Sequence, residues 1–215
     1  MQTVWIVLIQ SAILIIGLMT VFAGMTLVER KMLGYFHMRV GPNRTGPWGL
    51  FQPIADGIKA FVKEDTIPAG ADPLVFRLAP VISVFASLAA WAVIPIGPPV
   101  EIGGRLIPLQ VADPAGGVLV ALAFSALGVY GVSLAGWASQ SKYLLLGAMR
   151  GAAQMISYEL SMTMSILGVF MLAGSLRLTD IVAAQADRAF IWLQPLGFVI
   201  FLLAGVAEVS RTPFD

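Results

Sequence analysis

Long apolar stretches alternate with short polar ones along most of this chain. Residues 4–28 carry no charge, and further apolar stretches follow at about 78–97, 116–137, 152–174 and 190–209. Each is close to the roughly 20 residues that cross a bilayer's hydrocarbon core as a helix. The pattern predicts an all-α integral membrane protein, a single membrane domain over 1–215 with five transmembrane helices. No Lys or Arg precedes the first stretch, which is also longer than the apolar region of a signal peptide. It therefore reads as a spanning helix that ends at Glu29-Arg30-Lys31.

The segment 29–65 breaks the pattern. Residues 32–46 read as a loop, with Gly41-Pro42-Asn43 and Thr45-Gly46-Pro47 as breakers. Pro47 suits the first position of a helix. From 47 to 63 the periodicity predicts an amphipathic helix. Gln52, Asp56, Lys59 and Lys63 share one face, and Leu50, Phe51, Ile54, Ile58, Phe61 and Val62 share the other. Such a helix is too charged to span and reads as interfacial. The remaining connections are a Pro-containing stretch at 66–77 and a loop at 98–114 with Glu101, Arg105 and Asp113. A polar turn at 139–150 follows, then a polar loop at 175–189 with room for one helical turn.

Composition agrees with the pattern. Hydrophobic residues make up 58% of the chain and charged residues 12%, against about 25% charged in a soluble domain. Mean hydropathy is +0.87. A net charge of +1 supports no nucleic-acid partner. Without cysteine there is no disulfide, Fe–S ligand set or thiolate zinc site, and the single histidine, His37, cannot hold a haem or metal alone. Neither a G-x-G-x-x-G motif nor a P-loop is present, so a redox cofactor would sit in a partner subunit.

Charge asymmetry predicts an orientation. With the N-terminus outside, Arg30, Lys31, Arg39, Arg44, Lys59, Lys63, Arg77, Lys142, Arg150 and Arg211 are cytoplasmic, against Arg105, Arg177 and Arg188 outside. That orientation puts the segment 29–65, the turn 139–150 and the C-terminal residues on one membrane side, where they are expected to converge.

Carboxylates inside apolar stretches are candidate chemistry. Glu159 lies about 10 Å into the fourth stretch as counted from residue 152. A charge there costs several kcal/mol unless it is paired, hydrated or protonated. Ser157, Tyr158 and Ser161 are the nearby donors. Two roles stand open for Glu159, a neutral acid that bonds helix to helix or a carboxylate on a proton path. Glu208 and Arg211 share a helical face, and Glu29 and Arg30 end the first stretch. These read either as interfacial ion pairs or as a charged mouth between helices.

At these residues the chain resembles a known family. ERKMLGYFHMRVGPNRTGPWGLFQPIADGIKAFVKED at 29–65, GWASQSKYLLLGAMRGAAQMISYE at 136–159 and AEVSRTPFD at 207–215 look like the signature of the H-subunit (mitochondrial subunit 1) family of respiratory complex I, the proton-pumping NADH:quinone oxidoreductase. The resemblance covers essentially the whole chain. It implies a membrane component that forms part of the quinone-binding chamber and couples quinone reduction to proton translocation, with no catalytic residue of its own. Its fold has eight transmembrane helices, an amphipathic helix after the first, and an outside N-terminus. Glu29, Arg30, Asp56, Lys59, Lys63, Glu64, Glu208 and Arg211 match positions at the chamber and its mouth. Glu29, Glu159, Glu208 and Asp215 match a proton path. Quinone is the implied substrate, with FMN and Fe–S clusters held by partners. Those partners are the peripheral-arm Fe–S and quinone-site subunits and the small and antiporter-like membrane subunits, all in or against the lipid bilayer. The alanine-rich composition favours a bacterial inner membrane over a mitochondrial one. In the family, the motif at the C-terminus continues into an acidic loop and three more helices, so the chain is expected to be a C-terminally truncated piece.

Two other readings differ in kind. One is the homologous membrane component of an energy-converting hydrogenase, against which the long match through GPNRTGPWGLFQPIADGIKAFVKED weighs. The other is a secondary-transporter fragment, against which the lack of an internal repeat weighs.

Overall fold

A backbone in lipid has no water to bond with, so apolar stretches of this length satisfy their N–H and C=O groups by becoming helices. The computed structural model describes residues 4–102, 104–209 and 214. Arg211 and Asp215 lie outside the described residues. Among the described residues, four helices are long and apolar enough to cross a membrane, and a fifth apolar helix is shorter. Their large apolar side chains point outward: Trp5, Ile16, Phe22, Phe85, Leu160 and Met171 are all exposed. That surface suits hydrocarbon as its solvent, and the protein is an all-α membrane protein. The chain forms two compact units, Met1–Thr66 and Ile67–Asp215.

In the first unit, α1 (Val4–Phe36) has 33 residues, about 50 Å at 1.5 Å per residue. That exceeds the roughly 30 Å hydrocarbon core, so the helix has length to spare for its charged end. It does not stop at Lys31. Residues 29–36 contain no proline and only one glycine, and nothing breaks the hydrogen-bond ladder. The loop expected from 32 begins instead after Phe36. Met38, at φ 50°, closes the helix in the left-handed region. Its N–H bonds Tyr35 O at 3.1 Å and the Arg39 N–H bonds Gly34 O at 2.9 Å. This is a Schellman closure with methionine where glycine is usual.

The helix expected over 47–63 is divided. Pro47–Gly49 is a short 3-10 turn, and Trp48 within it has φ 57°. Gly49 has φ 75°, and a Cβ there would fall 2.2 Å from Pro42 O. Only glycine fits that fold-back. α2 (Gln52–Val62) then begins, with a proline in its first turn. It buries no residue, and its apolar face is open, with Phe61 93% exposed.

The second unit holds α3 (Pro73–Trp91), α4 (Gly117–Ala138), α5 (Lys142–Ala173), α6 (Leu178–Ala184) and α7 (Pro195–Glu208). α4 packs between α3 and α5, and α5 also packs on α7. α3 starts five residues before the expected 78, because Asp72 caps it. The Asp72 Oδ1 accepts from the N–H groups of Leu74 and Val75 at 3.0 and 3.3 Å, with Pro73 at the first helical position. It also ends before 97, at Trp91. The loop at 98–114 contains an antiparallel hairpin, β1 (Val100–Ile102) with β2 (Arg105–Ile107). The polar turn expected over 139–150 is far shorter. Gln140, at φ 52°, ends α4, and α5 begins at Lys142, so Lys142 and Arg150 are helical. α6 supplies the helical turn expected in 175–189. α7 starts at Pro195 rather than 190. Proline cannot donate to a preceding turn and disfavours a helical residue before it, and Gln194 is non-helical at φ −139° and ψ 66°. A short 3-10 turn, Phe190–Trp192, precedes it. The 14-residue α7 falls short of the length that fills the hydrocarbon core.

Small residues set the helix contacts. Ala79 and Ala86 on α3 and Ala204 and Ala207 on α7 are buried to 3% exposure or less. On α4, a Cβ at Gly131 would lie 1.9 Å from Ser83 Oγ, and one at Gly136 would lie 2.1 Å from Ala148 Cβ. Small residues let backbones approach closely where apolar burial against lipid offers no driving force. Replacing Gly136 or Gly131 by Val is expected to cost about 1–3 kcal/mol by overpacking and to lower the thermal midpoint in detergent by circular dichroism. Gly24→Ala, with nothing within 4 Å of its Cβ, should leave the midpoint unchanged or higher.

Candidate functional site

In the first unit, the polar face of α2 meets the charged end of α1. A guanidinium N–H of Arg30 donates to Asp56 Oδ2. Gln52 Nε2 donates to Asp56 Oδ1 at 3.2 Å, and Thr45 Oγ1 donates to Gln52 Oε1 at 2.9 Å. Lys59 Nζ lies 3.7 Å from Asp56 Oδ1. The loop, α2 and α1 are thus joined through one carboxylate. The Arg30 hydrogen bond is the largest influence on Asp56 and holds its carboxyl below the ordinary value of 3.8. Burial opposes it as the second influence, and Gln52 and the charges of Arg30 and Lys59 add to the lowering. Glu29 is half-buried in the last turns of α1. Lys63 caps α2 in extended conformation. It and Glu64 are exposed and make no ion pair among the described residues.

In the second unit, polar groups from three helices gather around Glu208, the last residue of α7. Ser125 Oγ of α4 donates to Glu208 Oε1 at 2.8 Å. Gln154 of α5 donates from Nε2 to Phe214 O at 3.0 Å and to Ala207 O at 3.4 Å. The rings of Tyr158 and Phe214 meet edge-on, 5.4 Å between centroids. Glu159 of α5 lies close enough to Glu208 for the two charges to interact. Both are half-buried. Two carboxylates thus stand at one helix junction.

Of the residues singled out in the sequence, the structure joins Arg30, Asp56 and Lys59 in one cluster and Glu159 and Glu208 in another. Glu208 is bonded by Ser125, while its expected partner Arg211 lies outside the described residues. Two of the three donors expected for Glu159, Ser157 and Ser161, are committed elsewhere. Ser157 Oγ donates to Ala153 O at 2.8 Å and Ser161 Oγ to Ser157 O at 3.3 Å, and the Tyr158 ring packs on Phe214. Hydroxyls on a helix bond back to their own preceding turn. Because α5 starts at Lys142, Glu159 sits about 26 Å along it. Sequence reasoning missed Ser125, Gln154, Gln52 and Thr45 as partners. Ser125 and Gln154 are polar residues inside apolar helices, which was the available signal.

The depressed carboxyl of Asp56 stabilises the fold above 3.8, and its contribution is lost as pH falls through its lower folded value. Asp56→Asn is therefore expected to lower the melting temperature of the protein in detergent at neutral pH. The difference from the parent should vanish on acidification below 3.8, as read by scanning fluorimetry at each pH. A difference that persists in acid would separate the effect from the charge.

Comparison with known proteins gives one consistent result. The family model described as NADH dehydrogenase matches residues 9–215. The first of two NADH-quinone oxidoreductase H subunits of Geobacter metallireducens is 53% identical over 97% of this chain and 63% of its own length. The second H subunit of Geobacter sulfurreducens is 54% identical over 96% and 63%, and the first of Symbiobacterium thermophilum 50% identical over 100% and 64%. The chain thus spans a little under two thirds of the length of the curated relatives it matches. A match of this extent, over helices and both polar clusters alike, settles the assignment: the chain belongs to the NADH dehydrogenase family.

Proposed function

We propose that this chain is part of the membrane-embedded H subunit of a proton-translocating NADH:quinone oxidoreductase in a bacterial inner membrane, with its N-terminus outside. The observation that carries the reading is the Ser125–Glu208 hydrogen bond at 2.8 Å with Glu159 in its field, inside a chain half identical to proteins named as H subunits of NADH-quinone oxidoreductase. Two neighbouring carboxylates in apolar helices are of little use to a purely structural membrane component, because they cost stability. They are what a proton relay needs.

In this reading the chain performs no covalent chemistry. Partner subunits carry the FMN and Fe–S clusters that deliver two electrons to quinone. Arg30, Asp56 and Lys59, with Glu29, Lys63 and Glu64, form charged surface on the quinone's approach. Arg211 and Asp215 keep the family positions given to them by resemblance. Reduction of quinone places charge near titrating groups, and Glu208 and Glu159 respond by exchanging a proton. Ser125 holds the Glu208 carboxylate in one orientation. The open apolar face of α2 lies in the lipid interface while its charged face stays in water. The ten-to-three distribution of Lys and Arg supports the orientation.

The test is made in the full-length protein within its complex. Glu208→Gln is expected to reduce NADH-driven proton pumping by about tenfold or more, measured in proteoliposomes beside inhibitor-sensitive NADH:quinone reduction. Pumping and quinone kinetics at parental levels would remove Glu208 from the relay. Purification of the intact protein without Fe–S and flavin partners would overturn the whole reading.

A further inference from the structure

The second unit has a cavity at the end of its bundle opposite Glu208. Its volume is about 480 Å³, within the ~300–1,000 Å³ range of small-molecule sites. The walls come from Val118 at the start of α4, Ile166 and Val169 near the end of α5, Ile181 of α6, and Phe198 and Phe201 in the first turns of α7. α4 and α7 start and α5 ends at this end of the bundle. From Gly197, which lines it, to Glu208 is about 16 Å along α7. It is therefore separate from the carboxylate cluster.

Few polar groups line this cavity. Ser165 Oγ donates to Met162 O at 2.6 Å. Gln185 donates to Ile181 O and accepts from the Phe190 N–H. The side-chain amide of Gln194 makes no hydrogen bond among the described residues. Beside the lining residue Ala189 stand Asp187 and Arg188, both exposed and neither in an ion pair among the described residues. Trp192, 79% exposed, follows two residues after Phe190, in the manner of interfacial aromatics.

We propose that this cavity binds one phospholipid with a zwitterionic, ammonium-bearing headgroup. One acyl chain occupies the space between Val118, Ile166, Val169 and Phe198. The amide of Gln194 bonds an ester carbonyl at the chain's root. The Arg188 guanidinium pairs with the phosphate and the Asp187 carboxylate with the ammonium. An adjacent acid and base of this kind match a zwitterion, whereas a singly anionic headgroup would meet Asp187 unfavourably. The site stands independently of the proton-relay reading.

The experiment uses the intact, full-length complex in lipid nanodiscs doped with phosphatidylethanolamine that carries a diazirine on one acyl chain. After photolysis, labelled residues are mapped by mass spectrometry. Labelling is expected at Ile166 and Phe198, denser than at the lipid-exposed Ile156 and Leu160. Arg188→Glu is expected to weaken labelling at the two cavity residues about tenfold. Val169→Trp, which fills the space, should abolish it. Phosphatidylglycerol with the same diazirine should label the cavity more weakly. Labelling at Ile166 and Phe198 no denser than at Ile156 and Leu160 would overturn the proposal, as would labelling unchanged in Arg188→Glu. Equal labelling by phosphatidylglycerol would overturn the zwitterionic headgroup.

Discussion

The close approach of α4 to both its neighbours is what the second unit depends on. In hydrocarbon, two helices gain little by covering apolar side chains, because lipid covers them equally well. Contact must come from backbone proximity, and Gly131 and Gly136 supply it against Ser83 and Ala148. With α4 held between α3 and α5, Ser125 one turn and a half from Gly131 is carried to the end of α7. The hydrogen bond to Glu208 is thus a consequence of packing by small residues. An otherwise costly carboxylate gains a hydrogen-bond donor.

The first unit solves a different problem by ionic means. α1 is longer than the hydrocarbon is thick, and its last turns carry Glu29, Arg30 and Lys31. The loop that follows folds back through Gly49 and presents α2. Asp56 then accepts from Arg30 and from Gln52, so the two helices are joined through a carboxylate held below its ordinary carboxyl value. Exposed ion pairs contribute little to stability. The value of this one lies in orientation: it turns the polar face of α2 towards α1 and leaves Phe61 and its neighbours exposed.

Much of the fold was legible in the sequence. Apolar length identified the four long apolar helices and the shorter α7, and i, i+4 spacing identified the polar face of α2. Helix ends were less legible. α1 and α5 run past the apolar stretch into charged residues because helices continue until a residue stops them, and neither Lys31 nor Arg150 does. Asp72-Pro73 and Gln194-Pro195 carry local start signals that set the true ends of α3 and α7. For the candidate site, the acidic residues stood out against an apolar background, whereas their partners did not. Ser125 resembles any other hydroxyl in a membrane helix.

The sequence by itself determined the membrane-embedded all-α class, the amphipathic character of α2 and the family. Each of these depends on composition within a window of about 20 residues or on a contiguous motif. The tertiary structure alone decided that Arg30 bonds Asp56, 26 residues away, and that Ser125 bonds Glu208, 83 residues away. Such pairings depend on helix rotation and contact geometry. Those follow from where small side chains let backbones meet, which no single stretch of the chain encodes.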